Sequence, residues 1–424
     1  MLSKLKSLPL YNRAVLPYHF IKSWLARLIY GFPSRKLRVI AVTGTNGKTS
    51  TCFIIWQMLR TAGFKTGLMT TVAWGTEQLH PQYEHMTTVD AFTLNRRIRT
   101  IADSGAEFLV LEVTSHAIAQ FRTLGIPIEI AVFTNLTHDH LDYHRTFANY
   151  RATKCRLFKQ ADFNVINADD PSASWFKRAS SSHITYGIKQ GTVRATNIKL
   201  STSGVTYNYQ NTNFKLHLPG EFNIYNSLAA ICVGEKLGLA KQTIQQGFLD
   251  LDAIEGRMNR LDCGQPFEVI VDYAHTPDAI QKVFDSVKNH SGRIISVHGG
   301  AGRRDESTRA TRGQILAQHS DVVIITEDDS RDENPEKIAA EFVKGAESAG
   351  KTLSQDLFVV LDRQKAIAKA LQTAHKGDLV LILGKGHEKT ILRADGPHDF
   401  EDLIVTQKLL KQLVKKSQKH PKRQ

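Results

Sequence analysis

The chain has 424 residues, a formal net charge of +14 and a hydrophobic fraction of 42%. This length exceeds what one ordinary core accommodates, so we expect two domains. No apolar run reaches the roughly 18 residues that a membrane-spanning helix needs, and the N-terminus lacks the pattern of a secretory signal peptide. The four cysteines are widely spaced and none belongs to a C-x-x-C pair. They indicate neither a disulfide framework nor a zinc site and favour a reducing cytoplasm.

The positive charge is concentrated at the two ends of the chain. Residues 1–38 carry eight Lys or Arg and no acid, residues 411–424 carry six and no acid, and together they supply the whole net charge. A body without net charge argues against a nucleic-acid-binding face. The first end has Phe20, Trp24 and Leu28 at helical spacing, which predicts an amphipathic helix. We expect this helix to pack on the neighbouring domain, with contact to an anionic membrane surface as the alternative, and the second end to be a frayed, solvated tail.

Apolar runs of strand length alternate with helical patterns along the body, which is typical of parallel βαβ layers. A Thr-, Ser- and Asn-rich stretch over residues 192–214 predicts antiparallel strands added to the first domain. We expect an α/β protein in which a central P-loop ATPase-like domain with a mostly parallel sheet precedes a Rossmann-like α/β domain. The expected boundaries are 1–38 for the basic segment, 39–255 for the central domain, 256–410 for the C-terminal domain and 411–424 for the basic tail.

Residues 43–49 read T-G-T-N-G-K-T between a strand-like run and a helix-like stretch. In such a loop Gly44 and Gly47 let backbone N–H groups approach phosphate oxygens, and the helix N-terminus adds positive potential. Lys48 can reach the outer phosphates and Thr49 can hold Mg²⁺. The chain has valine at position 42, where the longer G-x-x-x-x-G-K-[ST] pattern has glycine, so the loop is better described as G-x-x-G-K-T. We therefore expect an ATP-using protein, the alternative being a plain structural turn.

Two further segments place carboxylates and histidines directly after strand-like runs. Glu112 follows one run, at the carboxyl end of a strand, where ligands usually gather in open α/β sheets. After the next run, residues 137–144 read T-H-D-H-L-D-Y-H, a density of His and Asp that core packing does not explain. We assign His140 to a ligand or phosphate site and expect structural roles for His138 and His144.

Nine ordered motifs run along nearly the whole body. Besides the phosphate loop, they are T-T from Thr87, E-V-T-S-H-A from Glu112, D-H-L-D-Y-H from Asp139, N-A-D-D-P from Asn167, G-E-F-N-I-Y-N from Gly220, E-G-R-M from Glu255, D-Y-A-H-T-P-D from Asp272 and G-K-G-H-E from Gly384. Several motifs in one order are far more specific than any single motif. Together they resemble the Mur ligase family, and within it the UDP-N-acetylmuramoyl-tripeptide synthetases.

The resemblance implies an ATP-dependent amide ligase, in which a carboxylate is phosphorylated and an amino group then attacks the acyl phosphate. It implies that Lys48 contacts the phosphates, and that Thr49 and Glu112 hold one Mg²⁺. It places His140 and Lys154 near a second Mg²⁺. Taken alone, Lys154 has the default interpretation of a solvated lysine on a helix. The matching family lysine is carbamoylated, which turns an ammonium that would repel Mg²⁺ into an anionic oxygen ligand.

The resemblance also assigns the binding residues. The residues assigned to ATP are Gly44, Thr45, Asn46, Gly47, Lys48, Thr49, Asn135, Asn223, Arg257 and Asp272. The residues assigned to the muramoyl dipeptide are Thr87, Thr88, Thr114, Gln120 and Arg122. The residues assigned to the incoming amino acid are His275, Arg304, Asp328, Asp329, Ser330, Arg331, Gly384 and Glu388.

The incoming amino acid is predicted to be meso-diaminopimelate. Relatives that accept it carry D-N-P-R, where this chain has D-D-S-R from Asp328. Arg331 is kept, and its guanidinium can fork onto a second carboxylate. Asp329 and Ser330 add a negative charge and loosen the turn, so lysine stays the alternative.

Full-length relatives carry a UDP-binding domain before the phosphate loop, whereas 42 residues precede Thr43 here. We expect that domain to be missing or reduced to one helix. An acyl substrate without UDP is therefore an alternative to the UDP-linked one. The leading hypothesis is a monomeric, cytoplasmic ligase of peptidoglycan synthesis that acts on small molecules and adds the third residue to a muramoyl dipeptide. The alternatives are a related ligase such as a folylpolyglutamate synthetase, and a non-enzymatic ATP-binding scaffold. The D-Y-A-H-T-P-D and G-K-G-H-E runs favour the leading hypothesis over the related ligase.

Overall fold

A computed structural model describes residues 15–84, 86–303 and 306–419. The chain divides into two compact units, Met1–Asp252 and Ala253–Gln424. Each unit is built on its own mostly parallel sheet with helices in the connections.

The first unit contains twelve strands and nine α-helices in its described part. The strands are β1 (Arg38–Thr43), β2 (Thr66–Met69), β3 (Ala73–Gly75), β4 (Leu79–Pro81), β5 (Phe108–Glu112), β6 (Ile128–Phe133), β7 (Phe163–Asn167), β8 (His183–Gly187), β9 (Val193–Arg194), β10 (Thr196–Ser201), β11 (Gly204–Tyr209) and β12 (Thr212–Leu216). The helices are α1 (Leu16–Ile29), α2 (Lys48–Thr61), α3 (Ala91–Asp103), α4 (Ser115–Ala119), α5 (Leu141–His144), α6 (Phe147–Phe158), α7 (Ala173–Ala179), α8 (Glu221–Lys236) and α9 (Lys241–Leu249).

Nine of these strands form one sheet in the order β4-β3-β2-β5-β1-β6-β7-β8-β9, in which only β3 runs antiparallel to its neighbours. After its first residue β1 is buried throughout, as a continuous apolar run in a parallel sheet should be. It lies between β5 and β6, where Val42 pairs with Glu112 and Thr43 pairs with Phe133. The carboxyl ends of these three strands therefore meet at the phosphate loop.

The stretch over residues 192–214 is divided between two sheets. β9 extends the large sheet as a parallel strand, while β10, β11 and β12 form the predicted antiparallel strands as a separate sheet. The strands predicted from the apolar runs in the body are confirmed, and α2 confirms the helix predicted after the phosphate loop.

The second unit has eight strands and five α-helices in its described part. The strands are β13 (Asn259–Arg260), β14 (Glu268–Asp272), β15 (Ile294–Gly300), β16 (Val322–Glu327), β17 (Leu357–Val359), β18 (Leu379–Leu383), β19 (Thr390–Arg393) and β20 (Gly396–Asp399). The helices are α10 (Pro277–Val287), α11 (Arg309–His319), α12 (Pro335–Ser348), α13 (Arg363–Thr373) and α14 (Asp402–Lys419).

Six strands of the second unit form a sheet in the order β13-β14-β18-β15-β16-β17, parallel except for β13, and β19 pairs with β20. Both Asp272 and His298 pair with Leu383, so three strands end at one edge of this sheet. The expectation of a frayed tail is wrong for residues 411–419, because α14 continues to Lys419 and packs its apolar side on the core.

The predicted amphipathic helix is present as α1, but it packs through its polar side. Ser23 and Ala26 are buried, whereas the large apolar side chains of the helix are exposed. The helix packs on the first unit, as predicted, but its large apolar side chains stay exposed there. Lys22 and Arg27 hold the polar side inward through contacts with Asp90 and the Gly125 carbonyl. Within the described ranges, no helix is long and apolar enough to cross a membrane.

Candidate active site

The phosphate loop between β1 and α2 is fastened to the residues that follow β6. The Thr45 N–H donates to the Asn135 carbonyl at 2.8 Å, and the Asn46 N–H donates to Asn135 Oδ1 at 2.9 Å. The carbonyl of Asn46 accepts from Asn135 Nδ2 at 2.9 Å and from Thr134 Oγ1 at 2.7 Å. These bonds fix the loop independently of any ligand.

Gly47 occupies a position that only glycine suits. Its φ is +81°, and a Cβ atom there would lie 2.5 Å from Asn226 Oδ1. Asn226 also accepts from Thr51 Oγ1 at 3.1 Å and donates to Asn223 Oδ1 at 2.9 Å. Sequence reasoning singled out Asn223 but missed Asn226, although both belong to the motif G-E-F-N-I-Y-N. Within this unit, Asn223 thus lies behind the loop and braces it through Asn226.

The Glu112 carboxylate accepts hydrogen bonds from the hydroxyl groups of two threonines. Its Oε2 accepts from Thr49 Oγ1 at 3.0 Å and from the Thr71 N–H at 3.0 Å. The Thr71 hydroxyl lies 3.0 Å from both the same Oε2 and Thr87 Oγ1. Hydroxyl and carboxylate oxygens are the ligands that Mg²⁺ prefers, so this donor set fits the ion. Sequence reasoning missed Thr71, which no quoted motif contains.

Lys154 is buried in α6, with a side chain that is 1% exposed, so the default interpretation as a solvated lysine is wrong. Its Nζ donates to the Gly44 carbonyl at 2.9 Å and to Thr43 Oγ1 at 3.2 Å. Burial lowers the pKa of this amine well below its ordinary value, and repulsion from Lys48 acts in the same direction, against weaker opposition from carboxylates. The structure therefore places a readily deprotonated amine against the start of the phosphate loop.

The segment rich in His and Asp forms a cluster of rings beside this amine. His140 adopts a φ of +54°, its Nε2 lies 3.3 Å from Asp139 Oδ2, and its ring meets that of His116 edge to face. His144 is buried, and its Nε2 lies 2.9 Å from Ser115 Oγ. Burial lowers the pKa of His144 to about 4, so its ring stays neutral at pH 7. His116 was missed by sequence reasoning, although it lies in the motif E-V-T-S-H-A.

The residues assigned to the muramoyl dipeptide come together from separate segments. Arg122 donates to Gln120 Oε1 at 3.1 Å and also to the carbonyl of Thr88. The Thr114 N–H donates to Thr88 Oγ1 at 3.0 Å. The hydroxyl of Thr87 contacts that of Thr71, which in turn contacts the Glu112 carboxylate. The T-T and Q-x-R motifs thus form one polar surface that continues to the phosphate loop.

In the second unit, Asp272 organises the turn around Arg257. Its two carboxylate oxygens accept from the Met258 and Ala274 N–H groups, both at 2.7 Å. Burial raises its pKa, although Arg257 and these two bonds oppose the shift. The Arg257 guanidinium lies 4.8 Å from the centre of the Tyr273 ring. Asp272 therefore positions the turn that carries Arg257. Beside this turn, Arg257 and Tyr273 present a cation and an aromatic ring to a possible ligand.

Lys385 is the centre of a buried ionic cluster that sequence reasoning missed, although it lies in G-K-G-H-E. Its Nζ lies 3.1 Å from Asp328 Oδ1, 2.9 Å from Asp329 Oδ1 and 2.7 Å from Glu388 Oε2. These three carboxylates are close enough together to hold a metal ion, but the Lys385 ammonium already forms an ion pair with each of them. Burial raises the pKa of Glu388 to about 7 against the opposing effect of Lys385.

Asp329 and Arg331 belong to one turn that is hydrogen-bonded to β19. Asp329 Oδ1 accepts from the Leu392 N–H at 3.0 Å, and the Arg331 N–H donates to the Leu392 carbonyl at 2.8 Å. The Arg331 Nη1 donates to the Gly302 carbonyl at 2.9 Å. The loosening of the D-D-S-R turn stays a prediction. In the structure the turn is hydrogen-bonded to β19, and the added carboxylate of Asp329 lies beside both Lys385 and Arg331.

The other residues assigned to the amino acid are less closely joined. Ser330 is buried in the same turn. Gly384 has a φ of +112°, and a Cβ there would lie 3.6 Å from Asp328 Oδ2. His275 Nδ1 lies 3.0 Å from the Tyr273 carbonyl. The prediction for Arg304 lies outside the described residues.

Comparisons with known proteins match both units to one family. A model described as "Mur ligase middle domain" matches residues 42–234, and one described as "Mur ligase, glutamate ligase domain" matches residues 256–386. A UDP-N-acetylmuramoyl-L-alanyl-D-glutamate--2,6-diaminopimelate ligase of Syntrophomonas wolfei subsp. wolfei is 38% identical over 403 residues, covering 92% of this chain and 82% of the relative. A solved structure of a ligase with that name is 31% identical with a TM-score of 0.63, covering 93% of this chain and 83% of the other.

The fold also resembles that of a more distant enzyme. Folylpolyglutamate synthase of Mycobacterium tuberculosis, solved with ADP, has a TM-score of 0.70 at 18% identity and covers 86% of this chain and 91% of its own. At that identity the likeness concerns the fold alone. The extent of the match to the much closer relative decides the family. This chain belongs to the Mur ligases, a family of ATP-dependent, ADP-forming amide ligases.

Proposed function

We propose that this chain is a monomeric, cytoplasmic enzyme that joins meso-diaminopimelate to N-acetylmuramoyl-L-alanyl-D-glutamate, carried on UDP, as the third residue of the peptidoglycan stem. The observation that carries the ligase chemistry is the contact of Thr49 with Glu112 beside a phosphate loop held in place by Asn135. The names of the relatives support this choice of substrates.

The reaction proceeds in two balanced steps. An oxygen of the glutamate carboxylate attacks the γ-phosphorus of ATP, the bond to the bridging oxygen breaks, and ADP leaves. The nitrogen lone pair of the incoming amine then attacks the acyl carbon, the bond to the phosphate oxygen breaks, and the nitrogen loses a proton. Positioning and neutralisation of charge supply most of the catalysis in such a phosphoryl transfer.

The residues around the phosphate loop divide these tasks. Backbone N–H groups of the loop and Lys48 bind phosphate oxygens. Thr49 and Glu112 would hold one Mg²⁺, which would neutralise phosphate charge when bound. The Arg122 guanidinium, held by Gln120, pairs with a carboxylate of the acyl substrate.

Lys154 would be carbamoylated in the active enzyme and, with His140, would help to hold a second Mg²⁺. Its nitrogen attacks the carbon of CO₂ and loses a proton, which leaves an anionic carbamate. Support comes from its burial beside the phosphate loop, which lowers the pKa of the amine and so favours the neutral form that attacks CO₂.

Arg331 selects the amino acid by pairing with the second carboxylate of diaminopimelate, which lysine lacks. Support comes from the hydrogen-bonded turn that holds Arg331 and from the ion pair between Lys385 and Asp329. Arg331→Ala should raise KM for diaminopimelate by about 10- to 100-fold, equivalent to roughly 1.4–2.8 kcal/mol, and should leave kcat nearly unchanged. Arg303→Ala, which removes an exposed arginine paired with Asp332, is the matched control.

One assay tests the proposal. The purified protein is mixed with ATP, Mg²⁺ and either diaminopimelate or lysine, and phosphate release and product mass are measured. The acyl substrates are UDP-N-acetylmuramoyl-L-alanyl-D-glutamate, the same dipeptide without UDP, and a folate with glutamate as the amino donor. We expect the diaminopimelate tripeptide from the UDP substrate. Preferred use of lysine, of the UDP-free dipeptide or of the folate would overturn the corresponding part of the proposal, and no phosphate release with any substrate would overturn the enzyme itself.

A further inference from the structure

Helix α1 presents its apolar side outward. Half of the large apolar side chains that are exposed in the described part of the chain belong to this one helix. Two of them, Ile21 and Leu28, are 56% and 48% exposed. They lie seven residues apart, which is two helical turns, and so share one face. The exposed apolar set of α1 comprises Tyr18, Phe20, Ile21, Trp24, Leu25, Leu28 and Ile29.

The polar side of α1 faces the protein and is anchored there. Lys22 Nζ lies 3.5 Å from Asp90 Oδ1, at the N-terminus of α3, and Arg27 Nη2 donates to the Gly125 carbonyl at 3.1 Å. Ser23 and Ala26 are buried between these two contacts. These contacts hold the small and polar side of the helix against the protein, while most of the apolar set points outward and only the Phe20 ring is described in contact, with Phe121.

The charge around the helix favours one kind of partner. Residues 15–38 contain five Lys or Arg and no Asp or Glu. Lys22 and Arg27 face the protein and Arg38 pairs with Glu129, whereas Arg35 and Lys36, which follow α1 closely, are exposed. Exposed Lys and Arg side chains near a bilayer attract anionic lipids. Trp and Tyr, represented by Trp24 and Tyr18, are residues that favour the boundary between lipid and water.

We propose that the exposed apolar set of α1 docks on the surface of an anionic lipid bilayer. The helix lies in the plane of the interface with its apolar set among the lipid headgroups and upper acyl chains, and Arg35 and Lys36 meet the phosphates. The protein stays outside the bilayer and is held reversibly. Phe20 packs edge to face on Phe121, which lies between Gln120 and Arg122, so the docked helix carries these residues close to the lipid surface.

The test is sedimentation of the full chain with lipid vesicles. One set of vesicles mixes phosphatidylglycerol with phosphatidylcholine, and the other contains phosphatidylcholine alone. Ile21→Ser/Leu28→Ser removes apolar surface from α1. The matched control is Ile404→Ser/Leu353→Ser, because these two side chains are 58% and 47% exposed on the other unit. We expect wild type and control to sediment with the anionic vesicles, and the α1 variant to lose at least about tenfold in partition coefficient.

The electrostatic part has its own pair of variants. Arg35→Gln/Lys36→Gln should lower binding to anionic vesicles about tenfold and reduce its dependence on salt. Lys189→Gln/Lys199→Gln removes two exposed lysines of the same unit and should change neither. All four variants should retain the melting temperature and the ligase activity of wild type measured without vesicles.

Three results would overturn the proposal. The first is a wild-type protein that does not bind anionic vesicles. The second is an α1 variant that binds them as well as the control, since the binding surface would then lie elsewhere. The third is a wild-type dimer that becomes monomeric in Ile21→Ser/Leu28→Ser by analytical ultracentrifugation, which would assign the apolar set to a second copy of the chain.

Discussion

The hydroxyl of Thr49 donates a 3.0 Å hydrogen bond to Glu112 Oε2, which joins the first turn of α2 to the carboxyl end of β5. Because β1 lies directly beside β5, the phosphate loop and this carboxylate share one edge of the sheet. Three hydroxyl or amide donors then converge on a single carboxylate oxygen. The contact links the ATP-binding loop to the residues assigned to the acyl substrate.

Replacement of Glu112 tests whether its charge is needed. Glu112→Gln keeps the size of the side chain, so the fold should persist, while kcat should fall by about 10²–10³-fold through lost charge stabilisation. The measurement is phosphate release at saturating ATP, together with circular dichroism. Glu107→Gln, an exposed glutamate just before β5, should retain wild-type activity. More than roughly a tenth of the wild-type turnover in Glu112→Gln would contradict the role.

Lys154→Ala should be nearly inactive and should be partly rescued by formate or acetate, because a small carboxylate can replace the oxygen of the carbamate. Lys154→Arg should not be rescued. Removal of dissolved CO₂ should inactivate the wild-type enzyme, and bicarbonate should restore it. Lys159→Ala, at the exposed end of the same helix, is the control and should behave as wild type. Full activity of an enzyme whose intact mass shows an unmodified lysine would refute carbamoylation.

Alanine substitutions at Gly47 and Gly63 distinguish the cost of backbone strain from the cost of a steric clash. Both have a left-handed backbone, with φ of +81° and +89°, but a Cβ at Gly63 has no neighbour within 4 Å. Gly63→Ala should therefore cost only about 1–2 kcal/mol of unfolding free energy. Gly47→Ala adds the clash with Asn226 and should cost measurably more in urea unfolding, and should also weaken ATP binding. Equal costs with unchanged ATP affinity would show that the loop relaxes around the added methyl group.

The buried Glu388 gives the stability of the second unit a defined pH dependence. Its pKa is raised from 4.5 to about 7 in the folded protein, so its contribution to stability is present below pH 4.5 and is lost as the pH rises towards 7. The unfolding free energy of wild type minus that of Glu388→Gln should therefore fall over this range. Urea unfolding at several pH values measures it, with the exposed Glu347→Gln as control. A difference that rises with pH would mean that Lys385 outweighs burial.

Much of the site could be predicted from the sequence, because the residues that bind phosphate are close together in the chain. A strand, the loop containing Gly47 and Lys48, and a helix follow one another directly, so the sequence was sufficient to predict the loop and its neighbours. The alternation of strands and helices likewise predicted two α/β units, because each βαβ connection leaves its own periodic pattern. Glu112 could be placed because the carboxyl ends of parallel strands meet at one edge.

Only the tertiary structure decided which side chains lose contact with water. The burial of Lys154, and with it the lowered pKa of its amine, depends on β1 and the loop packing over α6. Lys385 contacts Asp328 and Asp329, which lie more than fifty residues earlier in the chain. This contact depends on the order of the strands in the sheet, which a local sequence pattern does not predict. The periodicity of α1 predicted a helix with an apolar side, but which side faces the protein was decided by the contacts of Lys22 and Arg27. Periodicity describes one helix alone, whereas burial is a property of everything that surrounds it.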